Sequence, residues 1–227
     1  MEKIHELHTF DKPIVIELAV NALPEKKFYD TVEHAQNTYD LVYPRGPKTG
    51  PHITLFAMAV EEHAALALGT IFLDQLISCP PIHIGSVIRE EADINNNDYG
   101  QPYFSLPIQP LHALKKLHEG FMKIGLAHWD GTFRYNDRKR FERGGYPIKP
   151  ATHIQKYGFL RSMNRFHPHI TIGAIRGATA KTISELQELF DPFMGKEISC
   201  RLVYQIKYVD LETGNVLFRD KYNMSPN

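Results

Sequence analysis

Pro51-His52-Ile53-Thr54-Leu55 and Pro168-His169-Ile170-Thr171-Ile172 differ only in their last aliphatic residue, and the second starts 117 residues after the first (168 − 51 = 117) in a chain of 227. Each carries apolar residues alternating with His and Thr, the pattern of a strand with one face in a core. In a strand, residues i and i+2 point the same way, roughly 7 Å apart. His52 and Thr54 therefore share one face while Ile53 and Leu55 anchor the other. His169 and Thr171 stand in the same relation to Ile170 and Ile172.

Working outward, the surroundings of the two pentapeptides repeat. Ile14 to Val20 reads as a buried strand. Pro24 starts a helical pattern in which Phe28, Val32, Ala35, Tyr39 and Val42 share a face. Tyr43 to Pro51 is a Pro- and Gly-rich loop, His52 to Val60 a strand, and Glu61 to Ile77 a helix with Leu68, Ile71, Phe72 and Leu76 on one stripe. Pro81 to Ile88 and Tyr103 to Ile108 read as an antiparallel pair joined through the Asn95-to-Gly100 turn. The order then recurs. Leu111, Leu114, Leu117, Phe121 and Ile124 mark a helix ending near Gly125. A long polar stretch follows to Phe166, then a strand from His169 to Ile175. Ile183, Leu186, Leu189, Phe190 and Phe193 mark the last helix. Glu197 to Leu211 and Val216 to Tyr222 form a final hairpin around Thr213-Gly214-Asn215.

Each half thus runs strand, helix, His-x-Thr strand, helix, an internal duplication in outline. The expectation is an α+β fold of one bilobal domain over residues 1–227. Lobe one takes about 13–100 and lobe two about 101–222, with an insert at about 127–166. Two antiparallel sheets should face across a central cleft.

Composition agrees with a globular chain. Apolar residues make up 43%, charged residues 23%, and the formal net charge is zero, so any anion-binding surface must be local. Nothing in the sequence approaches the roughly 18 apolar residues that span a bilayer, and Met1 to Asp11 is polar. The reading is a cytoplasmic monomer with no membrane partner, its Cys79 and Cys200 reduced and buried as small apolar residues.

Two imidazoles and two hydroxyls facing one small volume suit attack on a phosphodiester. A neutral His takes a proton from the attacking water or hydroxyl, and a protonated His gives one to the leaving oxygen. Histidine holds both states near neutral pH. The Thr hydroxyls donate to the non-bridging phosphate oxygens, where charge accumulates. His52, Thr54, His169 and Thr171 are the catalytic candidates, and the arrangement calls for no cofactor. His167 lies two residues before His169, but no acidic or Cys partner sits nearby in sequence, so a metal site is not expected.

On these four residues, with Phe166-His167-Pro168 leading into the second motif, the chain resembles the two-histidine (2H) phosphoesterase superfamily, which includes the 2′-5′ RNA ligase-like proteins and the cyclic phosphodiesterases. The resemblance runs from about Ile14 to Tyr222. It implies a bilobal pseudo-twofold fold with helices outside the sheets. It also implies metal-independent hydrolysis of 2′,3′-cyclic phosphates or RNA-type phosphodiester linkages, with His52 protonating the leaving oxygen and His169 activating water. The alternatives are a phosphodiesterase degrading a small cyclic or 2′-5′ oligonucleotide signal, and a catalytically silent RNA- or nucleotide-binding module. The insert is a departure from compact members of that superfamily.

The insert is also basic. From Arg134 to Arg165, the cations Arg134, Arg138, Lys139, Arg140, Arg143, Lys149, Lys156, Arg161 and Arg165 face only Asp137 and Glu142 as acids. Trp129, Phe133, Tyr135, Phe141, Tyr146, Tyr157 and Phe159 interleave with them, the composition of a surface where cations meet phosphates and rings stack on bases. Tyr157 and Arg140 represent it among the substrate-binding candidates. Arg165 and Arg176 flank the second motif strand, and Tyr43 and Arg45 precede the first. His34, His112, His118 and His153 carry no spacing signal and read as surface or internally satisfied residues.

Overall fold

A computed structural model of the chain describes residues 14–23, 26–39, 41–42, 52–60, 62–77, 86–87, 103–109, 111–129, 131, 148–158, 162–175, 177, 179–194, 201–210 and 216–223. Both motif strands form where the alternation places them. In chain order the elements are β1 (Ile14–Leu23), α1 (Lys26–Thr38), β2 (Leu41–Val42), β3 (His52–Val60), α2 (Glu62–Ile77), β4 (Ser86–Val87), β5 (Tyr103–Gln109) and α3 (Leu111–Leu126). Then follow α4 (Ile148–Tyr157), a 3-10 turn (Met163–Arg165), β6 (His169–Ile175), α5 (Ala180–Phe190), a second 3-10 turn (Asp191–Phe193), β7 (Arg201–Asp210) and β8 (Val216–Asn223). The chain is a mixed α+β protein in which every strand pairing is antiparallel among the described residues.

The strands assemble in the orders β3-β1-β7-β8 and β2-β6-β5-β4. Strand, helix, motif strand, helix recurs as β1-α1-β3-α2 and β5-α3-β6-α5, and in both runs the motif strand pairs with the strand that opens the run. The sheets draw on both sides of residue 100. β7 and β8, late in the chain, extend the sheet of β1, while β2 and β4, early in the chain, join β6 and β5.

One buried cluster takes in residues from both motif strands. It contains Ile53 and Leu55 with Ile170 and Ile172, and aromatic side chains carry much of its volume. Phe56 meets Phe72 edge to face at 4.9 Å, Phe72 meets Phe121 at 5.0 Å, and Phe190 meets both Phe28 and Phe104. In Phe28–Phe190, Phe56–Phe72 and Phe72–Phe121 the contact is edge to face, which sets the positive ring edge against the negative ring face and favours the pair beyond its buried area.

Three local expectations need correction. The helical pattern from Pro24 does not reach Val42: α1 ends at Thr38, and Leu41 and Val42 pair with Ile175 and Ala174 of β6. A backbone that has left the helix finds its hydrogen bonds in a ladder instead. On α2, Leu68 and Phe72 are buried one turn apart, but Ile71 is 40% exposed, turned aside from their stripe. The stretch from Ala127 to Phe166 is not only a polar connection. It contains α4, whose Ile154 is fully buried, and Gly158 closes that helix in a left-handed conformation (φ 65°) against the Trp129 indole. A Cβ at Gly158 would meet that ring at 2.9 Å, so the position needs glycine for contact as well as for conformation.

Candidate active site

The strand register adds a feature that the motif alone does not contain. Between β1 and β3, Leu18 pairs with Phe56 but Ala19 with Thr54, so Leu55 is skipped. Between β5 and β6, Phe104 pairs with Gly173 but Ser105 with Thr171, so Ile172 is skipped. Each motif strand therefore carries a β-bulge at the residue after its Thr, and the two bulges stand 117 residues apart, as the motifs do (172 − 55 = 117). A bulge inserts one residue, bends the strand and resets which side chains point where. Burial follows it. Thr54 is half-buried between Ile53 and Leu55, and every residue from Leu55 to Val60 is buried. In β6, His169 and Thr171 are half-buried, Ile170 is buried, and Ile172 to Ile175 are all buried. Each motif strand thus has a half-buried Thr just before its bulge and an unbroken run of buried residues from the bulge residue onward.

β3 and β6 are in contact with one another, and Ile53, Leu55, Ile170 and Ile172 share one buried cluster. His52 opens β3 opposite Asn21. The His169 ring is fixed from within its own segment, Nδ1–H donating to the His167 carbonyl at 2.8 Å. In the neutral ring that bond places the proton on Nδ1 and the lone pair on Nε2. The segment arrives through exposed His167 and buried Pro168. A pyrrolidine there restricts the backbone immediately before the motif.

Helices secure both bulges, and they do so crosswise. The Leu55 carbonyl accepts a hydrogen bond from His118 Nδ1 at 2.5 Å, and His118 lies on α3, which follows β5. The Ile172 carbonyl accepts from Gln36 Nε2 at 3.1 Å, and Gln36 lies on α1, which follows β1. A bulge takes a carbonyl out of its ladder, and a buried carbonyl without a donor costs about 1–3 kcal/mol. Fully buried His118 also accepts the Met163 N–H at Nε2 (2.8 Å) and stacks on Phe166 at 4.0 Å with the rings 3° apart. Burial pushes its pKa down, against the opposing pull of its bond to Leu55 and of Glu119. One donor and one acceptor on the ring define the neutral, Nδ1-protonated tautomer.

A second buried imidazole braces the same turn. His153 of α4 reaches the Ser162 carbonyl at 3.0 Å and its Oγ at 2.9 Å through Nε2. Its pKa is also lowered, by burial first and then by the positive charge of Arg165. Met163, next in line, holds φ 53°, a conformation that costs a non-glycine residue about 1–3 kcal/mol. The two histidines hold the chain on either side of that strained residue.

Of the substrate-binding candidates, Arg165 is half-buried on the 3-10 turn. Tyr157 is half-buried, packed on the core, with the His153 ring at 4.8 Å and Lys156 Nζ over its face at 5.1 Å. Its ring already has neighbours on the protein. Tyr43, Arg45, Arg140 and Arg176 lie outside the described residues, as do Cys79, Cys200 and the basic run at 132–147. His34 and His112 are exposed. His118, His153 and Gln36 are the site residues that sequence reasoning did not single out, since each acts on a backbone group remote in sequence. Among the described residues no three His, Cys, Asp or Glu side chains gather as a metal-binding group, and no helix is long and apolar enough to cross a membrane. In comparison with known proteins, neither a family model nor a curated protein matches the chain.

Proposed function

We propose that the protein is a metal-independent phosphodiesterase of the two-histidine kind, acting on nucleotide 2′,3′-cyclic phosphates or RNA-type phosphodiester linkages. The observation that carries this reading is the doubled bulge. Two His-x-Thr strands in contact with each other, each bulged one residue past its Thr, are built alike at the positions where the chemistry needs likeness. Bulges occur often beside active sites, where they re-aim a side chain. In this reading the two sheets form lobes related by a pseudo-twofold axis, with the motifs facing a shared cleft and the helices outside.

His169 is the base. Its Nδ1–H bond to the His167 carbonyl leaves the basic lone pair on Nε2 and also favours the imidazolium that forms. A water gives its proton to His169 Nε2 as its oxygen bonds to phosphorus. The bond from phosphorus to the leaving oxygen breaks, and that oxygen takes a proton from protonated His52. Thr54 and Thr171 donate to the non-bridging oxygens as charge develops there. The partner is a nucleotide or an RNA end.

The test is a screen of cyclic and linear nucleotide phosphodiesters with EDTA present, products identified by mass and chromatography. Turnover in EDTA, lost in His52→Ala and His169→Ala, is the expected result. Turnover that both variants retain, or none on any phosphodiester, overturns the reading.

A further inference from the structure

We infer that His118 and Gln36 are paired positioning residues, each of which fixes the motif strand of one half through a helix belonging to the other. The role rests on the phosphodiesterase reading, while the geometry stands apart from it. The two contacts correspond. Leu55 and Ile172 are equivalent bulge residues, one past each motif Thr, and each gives its carbonyl to a side chain on the first helix of the opposite run. α3 packs on β3 and α1 on β6, so the crossing belongs to the helices as well as to two side chains.

His118 goes further. The same ring accepts the Met163 N–H and stacks on Phe166, three residues before His169. One imidazole therefore holds the carbonyl beyond Thr54 and the chain leading to His169. Its neighbours leave it little choice of position. The ring is fully buried, with β3 on one side and the 3-10 turn on the other. Two catalytic groups that must meet one phosphate need a fixed separation, and misplacement by about 1 Å can cost a hundredfold. The crossed caps set that separation at the backbone: neither motif strand can shift along its sheet without breaking a bond to the other half.

The experiment compares the parent with His118→Phe, which keeps a flat ring against Phe166 but loses both hydrogen bonds, and with Gln36→Leu. Amide hydrogen exchange is read by NMR, and kcat and KM are read on adenosine 2′,3′-cyclic phosphate. In His118→Phe, exchange should rise at least tenfold both around Leu55–Ala57 and around Phe166–Thr171. In Gln36→Leu it should rise around Thr171–Ala174. In both, kcat should fall about tenfold or more with KM within about twofold. His118→Asn, which keeps an N–H near the Nδ1 position, should recover kcat several-fold over His118→Phe. A folded His118→Phe with kcat within twofold of the parent, or with exchange raised in α3 alone, overturns the inference. If His118→Phe does not fold, the parent's ring decides: a long-range proton–nitrogen spectrum must show His118 neutral and protonated at Nδ1, and any other state overturns the clamp. A parent inactive on every phosphodiester, yet with exchange coupled across both strands, overturns the proposed function and the positioning role while leaving the crossed caps in place. An active parent with uncoupled strands does the reverse.

Discussion

The two motif strands are alike up to the bulge and unlike beyond it. The residue that follows the bulge is Phe56 in β3 and Gly173 in β6. Phe56 is fully buried against Phe72, and it comes so close to Gly125 of α3 that a Cβ there would sit 2.4 Å from its ring. Gly173 has no such room, because β2 pairs alongside and a Cβ would meet the Leu41 Cβ at 2.9 Å. A helix packed on one strand calls for a large side chain, and a short strand laid beside the other calls for none. The bulge thus divides each strand into a part shaped by the motif and a part shaped by its neighbours in the core. Beyond the bulge the likeness thins to Ala57 and Ala174.

The largest effect should come from breaking the core side of the contrast. Phe56→Ala removes a fully buried ring and should cost about 3–5 kcal/mol in chemical denaturation, whereas Thr54→Ala and Thr171→Ala, at half-buried positions, should cost far less. An unfolding midpoint close to the parent's would mean the buried run of β3 can collapse around the loss.

Next are the histidines, where the halves should differ in sign rather than size. Each His→Ala should lower turnover by roughly a hundredfold or more, the scale of one acid–base contribution. His169→Ala should remove the limb of the pH–rate profile that reports the base, and His52→Ala the limb that reports the acid. Loss of the same limb from both variants would refute the division of labour.

Gly173→Ala should destabilise by about 1–3 kcal/mol through overpacking, since the atom it meets is fixed to the β2 backbone. Leu41→Gly should suppress part of that penalty, and a double-mutant cycle measures how much. Additive costs would place the strain elsewhere.

The smallest effect separates the two bulge caps by chemistry. His118 titrates and Gln36 does not. Because burial lowers the His118 pKa, the folded state binds fewer protons than the unfolded one at that site. Stability should be fully present above the unfolded value, near 6.5, and should fall as pH drops from there toward the folded pKa. His153 adds a slope of the same sign. In His118→Phe the slope should flatten by up to about 1.4 kcal/mol per pH unit, the limit for one proton, and in Gln36→Leu it should not change. Equal slopes in the parent and His118→Phe would mean that His118 takes up its proton as readily in the folded state as in the unfolded one.

The sequence makes the motif strands and most of their flanking elements legible because their signals are local. Alternation marks His52–Val60 and His169–Ile175, and helical spacing marks α3 and α5. The bulges are illegible because Leu55 and Ile172 look like ordinary alternating residues, and only the partner strand reveals the skipped position. The caps escape for a related reason. His118 answers a carbonyl 63 residues away and Gln36 one 136 residues away, and no window on either residue contains its partner. β2 was hidden because Val42 happens to continue the helical spacing of α1 past its end. Ile14 to Val20 is legible as a strand, which the structure extends to Leu23, but not as the neighbour of β7, since pairing across such a distance leaves no trace in periodicity.

That last pairing has a consequence for how the chain comes off the ribosome. β1 lies between β3 and β7, and β7 starts only at Arg201. While the intervening residues are being made, one flank of β1 must wait with its N–H and C=O groups unclaimed, beside the apolar run Ile14-Val15-Ile16. Open edges of this kind recruit other chains, and contacts so distant along the sequence form slowly. Synthesis that stalls before Arg201 would release a polypeptide with both motifs translated and an adhesive edge still exposed.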